Sequence, residues 1–226
     1  MPENFAEQGE VIYDSRNQIR FITAPDGSEL CVKRFHAPAF FNRIIYSYFR
    51  PPKAKRAFEN VQILTDKCVK TPEAVAYILC GNKLLKESYL ITKKSTLKRN
   101  FYEFGDGNIK GKEAILKAFA RFTAFAHEAQ VYHLDYSPGN ILFDQVNGKW
   151  QFEMIDINRI ETHLNVGIRK GCSNFARLWG TEELHRIIAT EYAYARGFNP
   201  SLCVEIALHA RERFWRKRPH AFFVYD

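Results

Sequence analysis

Long apolar runs are missing from this chain of 226 residues. No window reaches the roughly 20 consecutive apolar residues that a membrane-spanning helix needs. At 46% hydrophobic, the chain still has enough apolar material for one large core or two closely packed lobes. The opening stretch Met1-Pro2-Glu3-Asn4-Phe5-Ala6-Glu7 lacks the basic n-region and the apolar h-region of a secretory signal, so export by that route is not expected. Cysteine is sparse: Cys31, Cys68, Cys80, Cys172 and Cys203 are odd in number and without a CxxC pair. That pattern indicates neither a disulfide framework nor a zinc site, and suits reduced thiols in a cytosol. Internal repeats and low-complexity linkers are also absent, which favours one functional unit with two lobes, residues 1–94 and 95–226.

Positive charge is in excess. The net charge of +8 suits an anionic partner, whether nucleotide, nucleic acid, phospholipid or acidic glycan, and does not choose among them.

The most informative stretch is His133-Leu134-Asp135-Tyr136-Ser137-Pro138-Gly139-Asn140. It reads HxDxxxxN, runs into the apolar segment Ile141-Leu142-Phe143, and is followed by Phe152-Glu153-Met154-Ile155-Asp156, a second run closed by an acid. Each part has a task in handling a nucleoside triphosphate and its metal. Asp135 would accept the hydroxyl proton of an acceptor, while Asn140 and Asp156 would offer hard oxygen ligands to Mg²⁺. His133 is expected to hold the backbone around Asp156 by hydrogen bonds, leaving the general base to Asp135. Pro138-Gly139 makes the turn that points Asn140 back toward the metal, and a hairpin turning at Asn147-Gly148 delivers Asp156 beside it. The pattern predicts a phosphoryl-transfer enzyme that uses a nucleoside triphosphate and Mg²⁺.

The residues before this stretch are consistent with that chemistry. A three-stranded meander is expected over Glu10 to Tyr13, Gln18 to Thr23 and Glu29 to Phe35, and its third strand places Lys33 where a lysine can meet the α- and β-phosphates. A helix from Lys53 to Cys68 puts Phe58, Val61 and Leu64 on one face and carries Glu59, expected to pair with Lys33 and fix its ammonium. Strands from Ala74 to Cys80 and Lys83 to Thr92, joined at Gly81-Asn82, complete a five-stranded lobe. The hinge segment Ile91-Thr92-Lys93-Lys94-Ser95 would offer backbone groups to an adenine edge, so Ile91 and Lys93 are counted with the nucleotide site. Between Pro38 and Arg56, aromatics are interleaved with Arg43, Arg50, Lys53, Lys55 and Arg56. Such a segment can rest on an anionic bilayer or pack its aromatics into a core. A helix from Lys112 to Gln130 is expected to bury Ile115, Phe119, Phe122 and Ala126, with Leu116 and Phe125 widening the stripe. Two last helices are expected, Asn174 to Arg196 and Ser201 to Lys217. The second has Leu202, Ile206, His209 and Arg213 on one side, Val204, Ala207 and Leu208 on the other, and ends in the basic run Arg211, Arg213, Arg216, Lys217 and Arg218.

The segments HLDYSPGNILFD and FEMIDINRI resemble the catalytic and metal-binding segments of the kinase-like superfamily, most closely those of lipopolysaccharide core kinases that phosphorylate heptose or Kdo. RIO-type kinases come next, because Ser137 stands two positions after Asp135, where protein kinases carry Lys. The resemblance implies an α+β, two-lobed protein-kinase-like fold, with an N-lobe of about five antiparallel strands plus one helix and a reduced, mainly helical C-lobe. It also implies transfer from ATP-Mg²⁺ to a sugar hydroxyl of lipopolysaccharide. Three departures narrow it. The glycine-rich loop GxGxxG is missing, leaving Ser15, Arg16 and Asn17 as substitutes by position only. Asp156-Ile157-Asn158 replaces DFG. No APE follows, and the residues after Asp156 are too few for both a long activation segment and a full helical lobe, so a peptide-docking platform is not expected. The expected acceptor is a glycolipid, met in the cytoplasm or peripherally at the inner face of the inner membrane. A RIO-like kinase or ATPase acting on a ribonucleoprotein, and a non-catalytic nucleotide-binding module, are the other classes.

Overall fold

The computed structural model describes residues 3–15, 17–36, 51–81 and 84–218. The chain forms two compact units, neither of them one continuous stretch. The first comprises Met1–Asp66, Thr71–Thr96 and Asp156–Asn158, and the second Lys67–Lys70, Leu97–Ile155 and Arg159–Asp226.

In the first unit the β-branched and aromatic runs become β1 (Glu10–Asp14), β2 (Asn17–Thr23), β3 (Glu29–Phe35), β4 (Ala74–Cys80) and β5 (Glu87–Lys93). They pair antiparallel in the order β1-β2-β3-β5-β4, which makes β3 the middle strand. Side chains alternate across a strand. Leu30 and Val32 therefore join Phe5, Ile22, Tyr89 and Ile91 in a core on one face. Phe35 joins Leu90 and helix α1 (Lys53–Asp66), through Ala54 and Ala57, on the other. Lys33, two residues before Phe35, shares the α1 face. The two-residue hairpin expected at Gly81-Asn82 does not form: β5 starts at Glu87, paired with Cys80, and the Lys86 N–H closes the connection on the Cys80 carbonyl at 2.8 Å. Arg16 and the whole of the aromatic-basic segment before Pro51, residues 38–50, lie outside the described residues.

The second unit contains β6 (Arg99–Asn100), α2 (Glu113–Glu128), β7 (Tyr132–His133), β8 (Ile141–Val146), β9 (Lys149–Met154), β10 (Ile160–Glu161), α3 (Ile168–Ser173), α4 (Glu182–Arg196) and α5 (Pro200–Trp215). β8 and β9 turn at Asn147 and Gly148, whose φ values of 51° and 75° are those a tight hairpin requires. An aromatic core forms where Phe119 of α2 meets Phe101 at 4.2 Å between ring centroids and Phe152 of β9 at 5.8 Å. Phe125 does not widen this stripe and is 48% exposed. At roughly 100° per residue it lies a third of a turn from Phe119.

The helix expected over Asn174 to Arg196 is interrupted. A 3₁₀ turn covers Asn174–Arg177, Leu178 is extended, Gly180 adopts φ of 119°, and Thr181 then caps α4 by accepting the Leu184 N–H. α5 is capped by Asn199, which accepts the Leu202 N–H at 3.1 Å. It buries neither expected face but a stripe of Cys203, Ala207, Ala210, Arg211 and Trp215. Arg211 thus leaves the basic run for the interior, where its Nη2 donates to the Gly180 carbonyl at 3.1 Å. Among the described residues, no helix is long and apolar enough to cross a membrane.

Candidate active site

In the second unit, β7 ends at His133 and the chain enters the HxDxxxxN loop. The His133 Nδ1 accepts the Asp135 N–H at 3.0 Å, so the imidazole proton sits on Nε2, which donates to the Ile155 carbonyl at 3.1 Å. One ring therefore ties the loop to the residue preceding Asp156. The Asn140 Nδ2 donates to the Asp135 carbonyl at 2.8 Å and to Ser137 Oγ at 3.2 Å, and the Asn140 backbone carbonyl accepts the Ile155 N–H at 3.0 Å. Tyr136 anchors the loop from below through a 2.8 Å hydrogen bond to Thr123 Oγ, and its complete burial raises the pKa of its phenol. Gly139 lies so close to Tyr102 that an added Cβ would stand 2.8 Å from the ring, so only glycine fits without displacing it. Asp135 itself is 35% exposed and is paired with Arg177 Nη1.

Behind this loop runs a buried chain of hydrogen bonds. Asn174 Nδ2 donates to the His133 carbonyl at 3.0 Å, which leaves Asn174 Oδ1 to accept from His127 Nε2 at 3.1 Å. His127 Nδ1 then accepts the Tyr192 hydroxyl at 2.9 Å, and that hydroxyl accepts from Arg196 Nη1 at 2.8 Å. Burial holds His127 neutral, with its pKa pushed down to about 3.

In the first unit, Lys33 Nζ meets Asp156 Oδ1 at 2.7 Å, with the lysine side chain only 14% exposed. Asn158 Nδ2 donates to the same Asp156 oxygen, and Asn60 Nδ2 of α1 donates to the Ile157 carbonyl at 2.6 Å. Asp156 takes a φ of 55°, the left-handed region that Asp tolerates better than most residues. Glu59 does not pair with Lys33. It is half exposed and stands 3.7 Å from Lys55 one turn earlier. The buried stripe of α1 runs through Ala57, Val61 and Leu64, and it is Asn60, the next residue, that turns toward the Asp156 segment. Ile91 and Lys93 are likewise not open hinge donors. Ile91 lies in a strand paired on both sides, opposite Val32 and Ala76, with its side chain in the core. The Lys93 N–H is taken by the Glu73 carbonyl and the Lys94 N–H by that of Glu29.

No group of three or more His, Cys, Asp or Glu stands ready for a metal among the described residues. Mg²⁺ takes one or two protein oxygens and completes its octahedron with phosphate and water. Each donor by itself has the chemistry for a hard cation: in the second unit Asn140 commits its side-chain nitrogen to the loop and leaves Oδ1, and in the first unit Asp156 is a carboxylate set beside a positive charge.

Residues 3–193 match the profile of the lipopolysaccharide kinase (Kdo/WaaP) family. The chain belongs to that family. As a lipopolysaccharide kinase it is a phosphotransferase acting on an alcohol group in the lipopolysaccharide core. A solved structure described as WaaP in complex with acyl carrier protein shares the fold of this kinase. The TM-score is 0.63 at 18% identity, over 96% of this chain and 91% of that one. No curated protein matches the sequence individually. The α+β, kinase-like architecture expected from the two motif segments is the one observed. Arg177, Asn174 and Asn60, which contact the loop or the Asp156 segment of this lipopolysaccharide kinase, and His127, which backs Asn174, belong to no recognisable spacing. For Arg177 the one signal was indirect: Ser137 leaves a cation unaccounted for.

Proposed function

We propose that this kinase transfers the γ-phosphoryl group of ATP, in a Mg²⁺-dependent reaction, to a sugar hydroxyl of the lipopolysaccharide inner core, on Kdo or heptose. The observation that carries the proposal is the loop around Asp135. Its carboxylate is solvent-accessible and its backbone is pinned at both ends by His133 and Asn140, as a general base for an incoming hydroxyl requires. Asp135 removes the hydroxyl proton as the acceptor oxygen bonds to phosphorus and the bond to the ADP oxygen breaks. Lys33 offsets phosphate charge, and Asn140 and Asp156 hold the metal. When bound, Mg²⁺ supplies charge neutralisation at the phosphates. Most of the rate enhancement then comes from positioning and charge.

The test is incubation with labelled ATP, Mg²⁺ and a panel of Kdo- and heptose-bearing glycolipids, followed by mass analysis. One phosphate added to one sugar class is expected, together with loss of transfer in EDTA. Transfer to none of them, with tight and steeply salt-dependent RNA binding, would favour action on a ribonucleoprotein instead. Nucleotide binding without any transfer would favour a non-catalytic module. Peripheral membrane contact through the basic aromatic segment is part of the proposal. It predicts co-sedimentation with anionic but not zwitterionic vesicles.

A further inference from the structure

Asp135 and Arg177 form an ion pair that fold stability does not explain. Both side chains are about one third exposed, at 35% and 34%, and a pair so open to water contributes little to stability. Arg177 is nevertheless held in place. It closes the 3₁₀ turn Asn174–Arg177, whose first three residues are buried, and its guanidinium lies 5.3 Å from the centroid of the Phe214 ring. The same turn sends Asn174 to the His133 carbonyl, so one short element grips the loop at one end and presents a cation at its reactive carboxylate.

The loop itself has no cation. Ser137 occupies the position two residues after Asp135 where protein kinases carry a lysine, and its Oγ accepts from Asn140 Nδ2 at 3.2 Å. A guanidinium carries five N–H donors in a planar fork and no acceptor. One Nη1–H directed at Asp135 leaves others for a phosphoryl group approaching the same carboxylate. We propose that Arg177 is a catalytic residue that replaces the missing loop lysine. It donates to the phosphoryl oxygens in transit while its contact with Asp135 keeps the carboxylate aimed at the acceptor hydroxyl. In the step it assists, the acceptor O–H proton passes to Asp135 Oδ, the acceptor oxygen bonds to the γ-phosphorus, and the bridging oxygen leaves on ADP with the electron pair. Arg177 stays protonated throughout. This rests on Asp135 being the base.

The experiment is steady-state transfer from ATP-Mg²⁺ to the glycolipid that the parent chain phosphorylates, in Arg177→Gln, Arg177→Lys, Arg177→Gln/Ser137→Lys and Asp135→Asn. Removing a single donor to transition-state charge lowers turnover by roughly 10²–10³-fold. That loss is expected in Arg177→Gln, in kcat, with the KM for ATP and for glycolipid within threefold of the parent and an unchanged thermal midpoint. Arg177→Lys should be intermediate, and Ser137→Lys in the Gln background should recover turnover at least tenfold by moving the cation back into the loop. A kcat of Arg177→Gln within threefold of the parent overturns the proposal. So does a loss confined to the glycolipid KM, which would make Arg177 an acceptor-binding group, and so does a rise in turnover, which would make it a shield over Asp135. Asp135→Asn separates the two levels: if it transfers at the parent rate the base assignment fails, and if it is inactive while Arg177→Gln is normal only the arginine inference fails. A parent chain without transfer overturns both.

Discussion

Lowering the pH from 7 to 5 is expected to weaken the helical unit through a single buried side chain, His127. Its ring is 2% exposed and sits between Tyr192 and Asn174, accepting from one and donating to the other, so only the neutral tautomer satisfies both neighbours. Burial pushes its pKa down to about 3, against 6.5 for an unhindered imidazole. Between those values the unfolded chain binds a proton that the folded chain refuses. Stability from this group is therefore complete above about pH 6.5 and is lost as the pH falls toward 3. Integrated from pH 7 to pH 5, the loss is about 2 kcal/mol. Trp150, Trp179 and Trp215 all lie in the unit that contains His127, so urea titrations followed by tryptophan fluorescence read that unit. The comparison is between the parent and His127→Gln, which has a donor and an acceptor but no proton to gain. Titrations elsewhere cancel in the difference, and the parent should lose about 2 kcal/mol more than the variant at pH 5. Identical pH dependence in the two chains would refute the linkage, because His127 would then take its proton as readily in the folded chain as in the unfolded one.

Three further outcomes are expected. Asp156→Ala removes the partner of Lys33 and a proposed metal ligand, and should abolish Mg²⁺-dependent nucleotide binding; calorimetry showing the parent affinity would rule out the assignment. Gly139→Ala places a Cβ 2.8 Å from the Tyr102 ring, and should lower turnover several-fold through the displaced loop, with Tyr102→Ala in the same chain restoring it. Arg211→Leu strands the buried Gly180 carbonyl and should cost about 1–3 kcal/mol in urea unfolding, whereas Arg213→Leu, on the exposed side of α5, should change little.

The sheet of the first unit was legible because alternation and turn residues are local signals: Leu30, Val32 and Phe35 declare their faces without reference to any other element. The HxDxxxxN loop was legible for the same reason, being a spacing within a few residues. What escaped depends on contacts distant in sequence. Glu59 and Asn60 are neighbours with equal claim to the helix face, and only the packing of α1 turns Asn60 toward the Asp156 segment. Arg211 reads as one of a basic run until Gly180 supplies a carbonyl 31 residues away. Other misses were local signals overridden. Thr181-Glu182-Glu183 is a helix-start signal inside the expected span, and Gly180, at φ of 119°, separates it from the turn before. The hinge assignment failed differently: Ile91 has a strand's composition and stays in the strand, paired on both edges.

The route of the chain between the two units restricts how the molecule can be divided. It crosses after Asp66, Lys70, Thr96, Ile155 and Asn158, so Asp156–Asn158 is a three-residue loan from one unit to the other. A fragment cut after Thr96 would contain the whole five-stranded sheet and Lys33, yet neither the carboxylate that Lys33 binds nor the carbonyl that Asn60 holds. Excision, domain exchange and split-protein reassembly at that junction would therefore separate Lys33 from Asp156 while each piece retained its core.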